Sequence, residues 1–226
     1  DGFFMRGLVK QGFHDFDGGL RDINQAIVLA PKNAEYWSWR FSLHLLQANI
    51  AAAKQDVDEI QRLFGIQEAN IYRAVLLYRT GQPLPSLKLL NDLIRSSDYQ
   101  DAASQIWIGF HLGEAYRVNN QPDKTETLWQ RLLQTHPQSH LLRLSLADHL
   151  NQQKEYKKAM PHLNIALKNN RLLQNLYQEC AVLMTIAEAY IGLKNYKKIT
   201  AINALGIDFS QKESLDDQLA DEIVLP

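Results

Sequence analysis

The sequence is poor in the residues that would point to several common classes of protein. Its 226 residues include one cysteine, Cys180, so no internal disulfide can form. Seven prolines and eleven glycines are few and recur at intervals, which favours punctuated helices over many β-turns. The net charge of -1 lacks the basic excess that is typical of nucleic-acid-binding proteins, and no apolar run approaches the roughly 18 residues of a membrane-spanning helix. We therefore predict no nucleic-acid partner and no membrane insertion.

The motifs of common catalytic sites are also missing. There is no Gly-x-Ser-x-Gly, no glycine-rich phosphate loop and no His-Glu-x-x-His. The seven histidines are scattered, and Pro137 lies between His136 and His140 at a predicted helix boundary. We therefore predict that the chain is not an enzyme and needs no cofactor or metal. The four tryptophans occur at core spacings without interleaved arginines, and we assign all of them to core packing: Trp37, Trp39, Trp107 and Trp129.

A repeated pattern runs along most of the chain. Similar short segments recur between amphipathic stretches, and their central residues are Phe16, Ile50, Pro83, Pro122, Tyr156 and Tyr196. Their spacings are 34, 33, 39, 34 and 40 residues, and a period of about 34 is that of a helix-turn-helix repeat. Pro83 and Pro122 stand where second helices would begin, a position at which a missing N–H costs nothing. The pattern predicts six helical hairpins.

The fourth repeat contains, in order, Leu112-Gly113, Tyr116, Trp129 and Pro137. This order resembles the tetratricopeptide repeat family, and the resemblance covers roughly residues 2 to 206. It implies an all-α, right-handed superhelical solenoid of about six helix-turn-helix repeats. We predict repeats one to three over residues 2–97, repeats four to six over 102–206, and an acidic C-terminal capping helix or tail over 207–226.

The resemblance also implies that the first helices line a concave groove that binds a protein segment. One predicted lane lies three residues before the small residue of each first helix, and a second lane lies one residue after it. The apolar positions of the first lane are Phe4, Ile71, Phe110, Leu144 and Met184. The acidic positions of the second lane are Glu114, Asp148 and Glu188. The two lanes predict a scaffold or adaptor whose partner is a protein or peptide segment, apolar with basic residues.

Two other functions fit the same fold. One is the regulatory or substrate-docking region of a larger enzyme, since the chain begins at Asp1 without a methionine and we expect a cut or processed fragment. The other is a self-associating assembly component of a bacterial envelope or secretion machine, by analogy of fold alone. We expect a soluble protein, cytoplasmic or periplasmic. The lysine edge, Lys157-Lys158 and Lys197-Lys198, is a solvated surface or a site for an anionic partner.

Overall fold

A computed structural model describes residues 2–173 and 176–195, with side chains for residues 2–168 and 182–195. These residues form eleven α-helices, one short 3-10 helix and no strand, which confirms the predicted all-α fold. The chain divides into two compact units between Gln121 and Pro122, and each is described separately. The second helix predicted for repeat six, the capping segment over 207–226 and Lys197-Lys198 lie outside the described residues.

Within each unit, every helix packs on the next one in the chain. The helices of the first unit are α1 (Gly2–Gly12), α2 (Phe16–Leu29), α3 (Ala34–Leu46), α4 (Ile50–Phe64), α5 (Ile66–Arg79), α6 (Pro83–Arg95) and α7 (Ala102–Val118). Those of the second unit are α8 (Pro122–Thr135), α9 (His140–Gln152), α10 (Tyr156–Leu173) and α11 (Leu176–Gly192). The 3-10 helix Ser97–Tyr99 accounts for part of the longer spacing between repeats three and four. No described helix has both the length and the apolar composition needed to cross a bilayer.

All six first helices end in the same kind of turn. One residue of each turn has a φ between 55° and 80°, and the next residue donates its N–H to the carbonyl five residues earlier. This is the Schellman arrangement, which satisfies carbonyls left open at a helix end. The positive-φ residues are His14, Ala48, Gly81, Asn120, Lys154 and Lys194. Five second helices begin two residues later, at the repeat centres predicted from the sequence: Phe16, Ile50, Pro83, Pro122 and Tyr156.

Aromatic side chains join consecutive first helices of the first unit. The ring centroids of Phe4 in α1 and Tyr36 in α3 are 4.7 Å apart. Those of Phe41 in α3 and Tyr72 in α5 are 5.3 Å apart, with the rings edge to face. All four side chains are buried. Since such aromatic pairs add to the energy of burial, they fix the spacing of the first helices.

In each of repeats one and two, an ion pair with a buried aspartate joins the two helices of the repeat. In repeat two, Arg40 donates from Nε and Nη2 to Asp56 Oδ1 at 2.9 and 2.6 Å, and Asp56 is 1% exposed. In repeat one, Arg6 holds both carboxylate oxygens of Asp22 at 2.7 and 2.6 Å. Each arginine stands eight residues before the positive-φ residue and each aspartate eight residues after it. These two positions therefore face each other across the hairpin.

The repeat pattern predicts that its small residues are buried between the helices of a repeat. Gly113 is buried, and Ala147 in α9 is 0% exposed. Ala159 and Leu163 of α10, the helix packed on α9, are also 0% exposed. Ala187 is only half-buried, so the prediction of burial is wrong at that position.

Candidate partner-binding surface

The first unit buries most of the predicted apolar lane. Phe4 is 6% exposed, because it packs on Tyr36, and Ile71 is 5% exposed. Side chains buried to this degree leave little surface for a partner, so the structure places Phe4 and Ile71 in the core of the unit. Phe110 is half-buried and is the predicted lane residue of this unit that keeps the most accessible surface.

Phe110 belongs to an aromatic cluster on α7. Its ring centroid lies 6.1 Å from that of Trp107 and 4.8 Å from that of His111. Trp107 is 37% exposed, so its assignment to the core is wrong. Beneath them, Nδ1 of the buried His111 lies 2.9 Å from the hydroxyl oxygen of Tyr78 in α5. Burial, with a smaller effect from Arg79, lowers the pKa of His111 to about 3, so a neutral ring supports the exposed aromatic edge.

The three acidic lane residues differ in how far neighbouring groups compensate their charge. Glu114 Oε2 lies 2.6 Å from Nη2 of Arg117 on the same helix. Asp148 accepts a hydrogen bond from Gln152 Nε2 at 2.8 Å. Glu188 is exposed and makes no ion pair among the described residues. A negative charge for a basic partner is therefore most available at Glu188.

The exposed face of α11 combines apolar and acidic side chains. Met184 is 69% exposed and Ile191 is 54% exposed, and Glu188 lies between them in the sequence. Residues three and four apart are neighbours on a helix surface, so the three side chains form one strip. We call Met184, Glu188 and Ile191 the α11 strip.

The helix α9 contacts α11 within the second unit. Asn151 Nδ2 of α9 donates to the backbone carbonyl of Thr185 in α11 at 2.9 Å, and both residues are buried. Leu144 and Asp148 of α9 are half-buried and keep part of their surface accessible. Since a buried hydrogen bond fixes the two helices, the predicted lane residues of α9 and α11 stand on one rigid pair.

Residues 110–171 match the tetratricopeptide repeat family. This part of the chain contains tetratricopeptide repeats. Arrays of these repeats are in general scaffolds for protein–protein interaction and are generally non-catalytic, so this is the class of function that the fold supports. Within the described residues, no three His, Cys, Asp or Glu side chains form a group that could hold a metal ion.

Several solved structures, one of them of a tetratricopeptide protein, are similar to this chain in fold. TTC0263, a thermophilic tetratricopeptide protein in Thermus thermophilus, has a TM-score of 0.60 at 16% identity over 82% of this chain and 97% of its own. PilW, a type IV pilus biogenesis factor, has a TM-score of 0.60 at 17% identity over 96% of both chains. Human IFIT1, a dimer with m7Gppp-AAAA, has a TM-score of 0.59 at 15% identity over 83% of this chain and 45% of its own. No curated protein matches the chain in sequence.

One of the two described lysines of the lysine edge, Lys158, is already paired. Lys158 Nζ forms an ion pair with Glu155 of the same helix and lies 3.9 Å from Glu126 Oε1 of α8. An anionic partner would have to compete with both carboxylates, which makes this edge a weaker candidate than the α11 strip.

Proposed function

We propose that the chain is a non-catalytic scaffold that binds an apolar protein segment carrying basic residues, with the α11 strip at the centre of the contact. The observation that carries this proposal is the exposure of Met184 and Ile191 on either side of Glu188, which has no ion-pair partner in the described part of the chain. Neighbouring exposed apolar side chains are common features of interaction surfaces. A partner that matches the strip needs apolar side chains and a nearby lysine or arginine.

Apolar burial supplies most of the binding energy in this proposal. Fully burying a methionine or isoleucine side chain contributes about 1.5–3 kcal/mol, and the flexible thioether of Met184 adapts to irregular partner surfaces. Leu144 of α9 adds a further, half-buried contact. Glu188 contributes orientation and a faster association rate more than raw affinity, because an exposed charge is well solvated before binding.

In the first unit, considered by itself, the predicted lane offers a smaller accessible surface. Phe110, beside the exposed Trp107, supplies an aromatic contact. Glu114 contributes less charge than its lane position suggests, since Arg117 already pairs with it. Phe4 and Ile71 stay outside the proposed surface because they are buried.

Selection from a displayed peptide library, with the whole chain as bait, tests this function. We expect the selected peptides to be apolar with basic residues, and we expect Met184→Ala and Glu188→Lys to weaken their binding about tenfold each, which is about 1.4 kcal/mol. Leu29→Ala and Asp92→Lys are matched controls, because Leu29 is 65% exposed on α2 and Asp92 is exposed on α6. Equal binding by the strip variants and the controls would overturn the proposed surface.

A bacterial assembly component is the second candidate, since PilW has this fold over 96% of both chains. At 17% identity that likeness supports fold and length alone. Sedimentation velocity over a range of concentrations tests the self-associating form of this candidate: a concentration-dependent oligomer supports it, and a monomer throughout counts against it. The oligonucleotide bound to IFIT1 does not suggest a nucleic-acid partner here, because this chain has a net charge of -1.

A further inference from the structure

The third repeat breaks the pairing seen in the first two. Its positive-φ residue is Gly81, so the positions that hold Arg40 and Asp56 in repeat two are Arg73 and Leu89 in repeat three. Arg73 therefore keeps the arginine of the pair while a leucine replaces the carboxylate. No carboxylate lies within ion-pairing distance of Arg73 among the described residues.

Two amide side chains hold the guanidinium of Arg73 instead. Its Nη1 donates to Asn70 Oδ1 at 3.1 Å, and its Nη2 donates to Gln61 Oε1 of α4. Amide oxygens orient a guanidinium without neutralising it, and arginine stays protonated in proteins. These contacts use two of the five N–H groups, so Arg73 is positioned and has donors left for an anion.

Arg73 lines a cavity of about 470 Å³ between α4 and α5. The apolar part of the wall consists of Ile50, Val57, Leu76 and Leu77. This volume lies in the range of about 300–1,000 Å³ that is typical of sites for small molecules. The cavity therefore combines an apolar body with a fixed cation.

A second cation belongs to the same wall. Lys54 on α4 lines the cavity and makes no ion pair among the described residues. Asp58 also lines it, one helical turn after Lys54, and offsets one of the two positive charges. The formal charge of the wall is thus +1, which suits a ligand with a single negative charge.

We propose that this cavity binds a small amphipathic carboxylate, with its apolar chain between α4 and α5 and its carboxylate on Arg73. The guanidinium fork matches the geometry of a carboxylate and gives bonds stronger than those between neutral groups. Lys54 adds a point charge beside it. The ligand is a medium-chain monocarboxylate, and the site is distinct from the α11 strip, which belongs to the other unit.

Calorimetric titration of the whole chain with decanoate, below its micelle concentration, tests the proposal. We expect saturable binding that Arg73→Gln weakens at least tenfold and Lys54→Gln weakens less, with circular dichroism confirming that both variants stay folded. Arg62→Gln is the matched control, since Arg62 on α4 is paired with Glu59 and does not line the cavity. We expect that control to bind decanoate as the parent does.

Decyltrimethylammonium, which has the same chain length and a positive head group, tests the role of charge. We expect it to bind far more weakly than decanoate. Equal binding of the two amphiphiles, equal affinities of the Arg73→Gln and Arg62→Gln variants, or no saturable binding of decanoate would each overturn the proposal. Binding of an apolar peptide through its free C-terminal carboxylate in place of decanoate would also overturn it and would assign the cavity to a protein partner.

Discussion

Replacing Arg40 with methionine should test how the hairpin of repeat two is held together. Asp56 is 1% exposed, and both hydrogen bonds to its Oδ1 come from Arg40. Its Oδ2 has no hydrogen-bond partner and lies 3.7 Å from His44 Nε2. Arg40→Met keeps the bulk of the side chain but leaves a buried carboxylate without its main partner. Breaking a buried pair in this way costs about 3–5 kcal/mol, a large part of the roughly 5–15 kcal/mol by which a domain is stable.

The double variant Arg40→Met/Asp56→Leu distinguishes loss of the pair from loss of packing. The third repeat already has a leucine, Leu89, at the position of Asp56. Replacing both partners of a buried ion pair with apolar residues is often neutral or stabilising. We therefore expect the double variant to recover most of the free energy of unfolding that Arg40→Met loses. Urea unfolding followed by circular dichroism measures the cycle. Additive losses, or a loss below about 1 kcal/mol for Arg40→Met, would refute this reasoning.

The pH dependence of Arg40→Met gives an independent check. Burial raises the pKa of Asp56, and the hydrogen bonds and charge of Arg40 offset part of that rise. Without Arg40, the folded-state pKa of Asp56 should lie further above its unfolded value. The carboxylate then penalises folding at neutral pH, and the penalty is relieved as the pH falls through the folded pKa. Relative to the parent, we expect Arg40→Met to lose less stability at mildly acidic pH than at pH 7.

Four further substitutions test the turns, the buried histidine and the core. Ala48→Gly should raise the free energy of unfolding by about 0.5–1 kcal/mol, because a left-handed alanine costs roughly 1–2 kcal/mol and glycine loses part of that gain through its unfolded-state entropy. Asn120→Gly should gain less stability, since asparagine tolerates this conformation. Thermal melts measure both variants, and a lower melting temperature for Ala48→Gly than for the parent would contradict the turn geometry. The His111 pKa of about 3 lies below its unfolded value, so this group should contribute a loss of at most about 1.4 kcal/mol per pH unit as the pH falls from about 6.5 towards 3. His111→Gln should remove this contribution, and an unchanged acid sensitivity would contradict it. Ala147→Leu should overpack the core and cost about 1–3 kcal/mol, and an unchanged unfolding transition would speak against the burial of Ala147.

The repeat positions could be predicted because the turn that defines them is local. Each Schellman turn closes through a hydrogen bond between residues five apart, and each of the five described second helices starts two residues after the left-handed position. Pro83 and Pro122 add a direct sequence signal at the first position of α6 and α8. Short-range geometry of this kind leaves its pattern in consecutive residues, so no knowledge of tertiary packing is needed.

The exposure of the predicted lanes depends on packing between helices and is therefore harder to predict from the sequence. Phe4 and Met184 occupy equivalent lane positions, yet Phe4 is 6% exposed and Met184 is 69% exposed. Tyr36 of the next first helix packs on Phe4, whereas no first helix after α11 is among the described residues. Periodicity identifies the helix face on which a residue lies, but the packing of a neighbouring helix decides whether that face is accessible.

The ion pairs show that some tertiary contacts can be recognised in the sequence. The paired residue types recur at the period of the repeat, which is much longer than the period of a helix. Arg6 and Arg40 are 34 residues apart, and so are Asp22 and Asp56. In a repeat array each repeat is stabilised mainly by contacts with its neighbours, so the ion pair of one repeat can be lost without unfolding the other repeats. In repeat three Leu89 replaces the carboxylate of the pair, so the charge of Arg73 at the wall of an apolar cavity is not compensated by that partner. A position at which one repeat departs from the register of the others is therefore where a repeat protein is free to place a binding group.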